Sequence, residues 1–304
     1  MFGATGYSGI VQPFRNSNNT DAIPYIQAWV HKHEEKPLPV SSSKPPVFPP
    51  EQEGLFRGVL QQMNANKVPY VVSGAFALGQ HTGIWRNTKD LDLFLAPEDV
   101  PTALKVLEAA GFETEVRDPV RLAKAHLGDY FVDLITGMSN AVISVDKTWI
   151  DRGAPVDVLG VPSRVLAPEE LIASKLFVTR RERFDGADIV HVIHGTRGNL
   201  DWSRVLNIVG EHWMIVLWAM ILFQYTYPAH CNYIPRAVWD DLLGRLRGEL
   251  DSPNPRAHFR GSLIDENMFA IDVHEWGMAN LIEYHRTMRE EKLLPPVDPA
   301  APAA

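Results

Sequence analysis

The sequence predicts an α+β fold: a small mixed sheet flanked by helices, followed by a helical C-terminal domain. Short β-branched and leucine-rich runs alternate with stretches of helical period between residues 51 and 195. After about residue 195 the period is helical throughout, and 304 residues are enough for about two domains.

Residues 1–50, closing on "SSSKPPVFPP", are rich in Pro and Ser and predict an irregular N-terminal arm. From Glu51, "EQEGLFRGVLQQMNANK" sets Leu55, Val59, Leu60 and Met63 at helical spacing. "VPYVVSG" is a short β-branched strand, and "AFALGQHTG" a short helix. "KDLDLFLA" is a strand with acids on one face and leucines on the other. A helix over 100–110 stops at Gly111, and a strand starts from Phe112. "DYFVDLITG" is another strand, and "VDVLGVPSRVLA" gives further strand and turn. Pro168 opens a helix over "PEELIASKLFVTRRE", with proline and acids where a helix start favours them. Catalytic residues are thus expected within 51–195 and helices over 196–292, with a disordered tail at 293–304. No internal repeat is visible.

Composition narrows the function. Hydrophobic residues at 45% and charged residues at 22% are those of an ordinary globular protein. A net charge of −8 argues against general affinity for DNA or for anionic membranes, so partners are expected to be small or locally held. The single Cys231 excludes a disulfide framework and any multi-cysteine zinc site, and fits a reducing, cytoplasmic setting. No signal-peptide pattern opens the sequence. The most apolar run, "WMIVLWAMILF" at 213–223, is shorter than the roughly twenty residues of a membrane span and predicts a buried helix.

The opening "GATGYSG" has the look of a dinucleotide-binding turn, but no strand enters it and no helical period leaves it. A better phosphate site is Ser73-Gly74, where a strand ends and a helix begins; glycine there lets the helix amides approach a phosphate closely. Sixteen residues on, Asp90 and Asp92 share one face of a strand while Leu91 and Leu93 anchor the other. Carboxylates that close repel, and a divalent cation such as Mg²⁺, bound jointly with substrate phosphates, relieves the repulsion. Asp133 lies in the apolar run "YFVDLI". If its strand lies beside the Asp90–Asp92 strand, three carboxylates converge for one or two metal ions.

Ser73-Gly74, the Arg86-x-Thr88-x-Asp90-Leu91-Asp92 run and Asp133 in its apolar strand together resemble the nucleotidyltransferase superfamily of the polymerase-beta type. The likeness is greatest to its minimal, aminoglycoside-nucleotidyltransferase-like and abortive-infection-toxin-like branches. Members usually carry Gly-Gly or Gly-Ser at the turn, and here the order is Ser-Gly. The stretch from Pro168 resembles a further family element through Lys175, Arg180, Arg183, Asp185 and Asp188. The resemblance implies that Asp90, Asp92 and Asp133 hold Mg²⁺ or Mn²⁺, with Asp133 also deprotonating the acceptor. It implies that Ser73, Gly74, Arg86, Thr88 and Lys175 bind the nucleotide, ATP being the expected one. The acceptor stays open between a small molecule such as an antibiotic, an RNA end and a protein in a toxin–antitoxin setting. A degenerate member that only binds nucleotide or a partner, and a phosphate-ester hydrolase, are the competing readings.

Blander readings stand beside these. Lys175, Arg180, Arg181 and Arg183 also fit a solvated helix end, and Asp185 and Asp188 fit a helix cap or partners of those arginines. His191 and His194, and His31 with His33, lack partners at zinc-site spacing. Trp213, Trp218, Phe223 and Tyr225 read as a core face, or else as a wall of the acceptor pocket.

Overall fold

The computed structural model describes residues 44–293. Of the expected N-terminal arm, residues 1–43, with the opening glycine turn and the His31/His33 pair, lie outside the described residues, as do tail residues 294–304. Helix α1 (Pro50–Ala65) has proline at its start and Glu51 and Glu53 in its first turn, where a missing N–H and negative charge suit the helix end. Its buried residues Gln52, Leu55, Phe56, Val59, Leu60 and Met63 recur three and four apart, which makes one stripe.

Next come β1 (Val71–Val72), α2 (Gly74–Thr82), β2 (Asp90–Phe94) and α3 (Val100–Ala109). An antiparallel meander of β3 (Glu113–Asp118), β4 (Leu122–Leu127) and β5 (Tyr130–Ile135) leads to α4 (Lys147–Arg152). The hairpin of β6 (Ala154–Val158) and β7 (Val161–Val165) precedes α5 (Pro168–Lys175). A small hairpin, β8 (Thr179–Arg180) and β9 (Arg183–Phe184), leads into α6 (Gly186–Gly195). The remaining helices are α7 (Trp202–Val209), α8 (Trp213–Thr226), α9 (Arg236–Asp251), α10 (Gly261–Ile264), α11 (Ala270–His274) and α12 (Leu281–Leu293).

Seven strands form one mixed sheet in the order β3-β4-β5-β2-β1-β7-β6. The β2–β5 and β1–β7 pairs are parallel and the other neighbours antiparallel. Strand alternation separates two cores. Leu91 and Leu93 of β2, with Val132 and Leu134 of β5, pack under α1 and α3. On the opposite face Phe94 joins a second core that runs through α2, α4, α5 and α6 into α8 and α9. The carboxylates of β2 share that second face, so the helices that cover it also wall the cleft described below.

Three details depart from the sequence expectations. Strand β4 has no counterpart in them, because its inward residues Ala123 and Ala125 are small and the alternating Lys124 and His126 are polar, a weak β signal. The helix expected through Glu182 ends at Lys175; the chain reverses in the β8–β9 hairpin, and the Asp185 amide donates to the Val178 carbonyl at 2.9 Å. The aromatic set of α8 is not one stripe. Trp213 and Phe223 are buried, but Trp218 is 45% and Tyr225 85% exposed. At 3.6 residues per turn these two lie roughly 120–140° around the helix from Trp213.

Residues Trp202–Thr226 are long and apolar enough to cross a membrane by length and composition, with mean hydropathy 1.7 over the most apolar window. The stretch breaks at Gly210 (φ 55°) and a 3₁₀ turn over Gly210–His212. Helix α8 alone is 14 residues, and Val216, Leu217, Met220 and Phe223 pack into the second core. Both features are those of the buried helix that the sequence predicts.

Candidate active site

The parallel register of β2 and β5 sets Asp92 directly beside Asp133, and Asp90 beside Phe131. Paired residues of neighbouring strands point to the same face, so the adjacency required for a three-carboxylate site is built into the backbone. One carboxylate oxygen from each of Asp90, Asp92 and Asp133 lies within 4.8 Å of the others. Among the described residues no other group of three or more His, Cys, Asp or Glu is gathered in this way. The triad opens onto a cleft of about 520 Å³ whose walls also include Ser73, Gly74, Arg86, Thr88 and Lys175. The eight residues for which the resemblance implies catalysis or nucleotide binding thus line one cavity. A larger cavity of about 830 Å³ lies between α3, β3–β4 and α12 and holds none of these residues.

Gly74 opens α2 with φ +57°, a left-handed conformation that side chains rarely adopt. A Cβ there would come within 1.8 Å of Asp92 Oδ2. The close approach of turn and carboxylate therefore requires glycine. The Ser73 amide donates to the Asp92 carbonyl at 2.9 Å, tying the turn to β2, and the Ser73 side chain makes no capping bond to α2. The first amides of that helix are left for a ligand to satisfy. Thr88 acts on the carboxylate itself: its hydroxyl donates to Asp90 Oδ1 at 2.6 Å. Gln52 of α1 in turn donates to the Thr88 carbonyl at 2.9 Å.

Electrostatics favour a cation at this point. Burial, then repulsion from Asp90 and Asp133, pushes the Asp92 carboxyl up to about 7. Burial also raises Asp133, although Lys124 pulls it back from 2.8 Å. Three hard oxygen donors, one of them reluctant to ionise without a positive partner, suit a divalent ion. Behind the triad lies a charge cluster. The Lys175 ammonium donates to Asp185 Oδ2 at 3.0 Å and Asp188 Oδ2 at 2.8 Å, Arg183 pairs with Asp185, and Arg86 with Asp188. Burial alone would raise the Asp185 carboxyl, but Arg183 and Lys175 hold it below the ordinary range. Of the blander sequence readings, pairing with the neighbouring arginines holds for Asp185, through Arg183, whereas Asp188 pairs with Arg86 and Lys175 instead. Asp185 does stand at the N-cap of α6, but its side chain makes no capping bond there.

Sequence reasoning missed three residues around the cleft: Gln52, Arg121 and Lys124. Lys124 had one available signal, a lone cation in a polar–small alternation opposite an acid-bearing strand. Gln52 had none. Among the described residues the histidine pair gathers no group of three ligands; His194 stacks on Tyr227 at 4.4 Å between ring centres, while His191 is half-buried and held below its usual pKa by burial.

Comparison with known proteins adds a family. No curated protein matches the chain. Among solved structures, the antibiotic-resistance factor ANT(2'')-Ia is 15% identical, with 58% of this chain and 97% of that one covered at a TM-score of 0.37. An antigenic nucleotidyltransferase-like protein from Paracoccidioides brasiliensis is 14% identical, covering 60% and 93% at 0.40. JHP933 from Helicobacter pylori is 13% identical, covering 80% and 91% at 0.34. The family described as uncharacterised nucleotidyltransferase matches residues 57–214, just over half of the chain, a stretch that includes the glycine turn, all three aspartates and the charge cluster behind them. The chain belongs to that nucleotidyltransferase family.

Proposed function

We propose that this chain moves a nucleoside monophosphate, AMP from ATP in the first instance, to a hydroxyl of an acceptor and releases pyrophosphate. The observation that carries the reading is the convergence of Asp90, Asp92 and Asp133 on a cleft that the uncapped start of α2, packed against Asp92, also lines. In it, Asp90, Asp92 and Asp133 would hold Mg²⁺ or Mn²⁺, which supplies charge stabilisation at the reacting phosphorus and at both the attacking and leaving oxygens. Thr88 holds the Asp90 carboxylate in place, and Lys124 holds that of Asp133. The acceptor oxygen forms a bond to the α-phosphorus as the bond from that phosphorus to the bridging oxygen breaks. The hydroxyl proton passes to Asp133 and then to water. Pyrophosphate leaves with the electron pair of the broken bond, steadied by the α2 amides, by Arg86 and Arg183, and by Lys175. Residues 51–195 would carry this chemistry while the helices of 196–292 shape the acceptor side. The single cysteine is consistent with a cytoplasmic setting.

Incubation with each α-labelled NTP, Mg²⁺ and candidate acceptors tests the reading. Wild type should label an acceptor, and Asp90→Ala with Asp92→Ala should not. Equal labelling by both would sink the carboxylate mechanism. Free nucleotide without an adduct would point to hydrolysis instead.

A further inference from the structure

The inference rests on the transferase reading above and concerns what the acceptor carries. The cations around the cleft separate into two sets; Arg86, Lys175, Arg183 and Arg121 line it, and Lys124 reaches it through Asp133. Lys175, Arg183 and Arg86 stand with Asp185 and Asp188 on the α5–α6 side, nearest the electrostatic reach of Asp92. Lys124 and Arg121 stand on the β4 side, nearest Asp133.

On the β4 side the local acids use only part of the Arg121 guanidinium, and Arg180 stands near the Asp265 carboxylate. Arg121 lines the cleft and spends only its Nε on Asp118, at 3.1 Å. Asp118 already accepts both terminal nitrogens of Arg286, at 2.8 and 3.1 Å, so one carboxylate is shared by two guanidiniums. Lys124 touches Asp133 at 2.8 Å and lies 3.7 Å over the Phe131 ring. From the β8 side, Arg180 donates to Ser139 Oγ at 3.3 Å, and Ser139 forms part of the same wall. The next acid outward on this face, Glu115, is engaged by His126 at 3.3 Å.

A triphosphate whose tail lies on the α2 amides leaves the Asp133 end for the attacking hydroxyl. A polyamine acceptor would bring its ammonium groups against Arg121, Lys124 and Arg180, whereas a phosphate beside the hydroxyl would meet guanidiniums suited to bidentate contact. We propose that Arg121, Arg180 and Lys124 form an acceptor subsite for a phosphate group carried near the attacked hydroxyl, the chemistry shared by an RNA 3′ end and a phosphorylated sugar.

The test uses the full chain loaded with Mg²⁺ and an ATP analogue uncleavable between the α- and β-phosphates. Binding is measured for a fluorescent single-stranded RNA with a free 3′ hydroxyl, and separately for ribose 5-phosphate and for the polyamine tobramycin. Arg121→Ala should weaken phosphate-bearing probes on the order of tenfold, the loss of one charge-assisted contact. Arg121→Lys should recover part of that loss, and affinity for the ATP analogue should stay within about twofold, which reports an intact fold. Binding of both RNA and ribose 5-phosphate, or of RNA alone, supports the subsite and tells the two sources apart. The subsite is refuted if neither binds to the loaded chain, if Arg121→Ala and Arg121→Ala with Arg180→Ala bind as wild type does, or if tobramycin binds more tightly than both. If the ATP analogue itself fails to bind, the transferase reading falls and the subsite falls with it.

Discussion

A single methyl group at Gly74 should disable the site. Gly74→Ala places a residue with a side chain at φ +57°, which costs about 1–2 kcal/mol for a left-handed conformation. The new Cβ would also stand 1.8 Å from Asp92 Oδ2 and 2.8 Å from its Cγ. To reach an ordinary separation of about 3.5 Å the carboxylate must retreat by roughly 1.7 Å, beyond the roughly 0.5 Å within which a functional group keeps its geometry. Displacement on this scale costs on the order of 100-fold in rate. Three measurements check it: Mn²⁺ affinity by calorimetry, nucleotide transfer, and urea stability, each in wild-type and Asp92→Ala backgrounds. With the carboxylate gone, only the conformational cost should remain, so Gly74→Ala should cost less stability in the Asp92→Ala background than in wild type. Equal losses in the two backgrounds, together with unchanged Mn²⁺ affinity for Gly74→Ala alone, would refute the reasoning.

Two further predictions concern stability. Without metal, Asp92 should weaken the fold: its carboxyl is raised from 3.8 to about 7, so the stability present below pH 4 is lost as pH climbs through 7, up to roughly 4 kcal/mol. Asp92→Asn should therefore raise the melting temperature in chelator at pH 8 and leave it nearly unchanged at pH 4; coincident melting curves at pH 8 would contradict this. Glu170 is fully buried and its Oε1 takes Arg152 Nε at 3.0 Å and Arg204 Nε at 2.9 Å, joining α4, α5 and α7. Glu170→Ala should cost about 1–3 kcal/mol in urea unfolding, because Arg204 loses its carboxylate while the half-exposed Arg152 keeps Glu169. A loss below about 1 kcal/mol would show that the three elements hold together without it.

Much of the site could be read along the chain because its chemistry is written in local patterns. Asp90 and Asp92 declare their shared face through the leucines between and after them, and Ser73-Gly74 declares its turn through the valines before it. Asp133 could be read as a strand acid, but its place beside Asp92 is a pairing between distant strands, and no local period encodes that. Lys175 shows the same limit. Its helix is evident from Pro168, Glu169 and Glu170, yet its burial between Asp185 and Asp188 depends on a reversal at β8–β9 that four residues of strand create. The α8 aromatics were misjudged for a geometric reason: spacings of five and twelve from Trp213 do not return to the same side of a 3.6-residue helix. Lys124 carries only the weak signal of a lone cation in a polar–small alternation, its importance coming from the strand paired with its own, and Arg121, just before that strand, has no local signal.

The central place of β2 in the sheet also has a consequence during protein synthesis. Its parallel partner is completed only at Ile135, and Arg86 waits for Asp188, 102 residues later. At roughly 5–20 residues per second, the ribosome takes about 5–20 s to deliver that last acid. For the first part of that interval, until Asp133 follows, the nascent chain displays Asp90 and Asp92 without the third carboxylate that stands beside them in the sheet. A product ending before residue 188 would carry all three aspartates yet leave Arg86 without its partner and Lys175 with Asp185 alone.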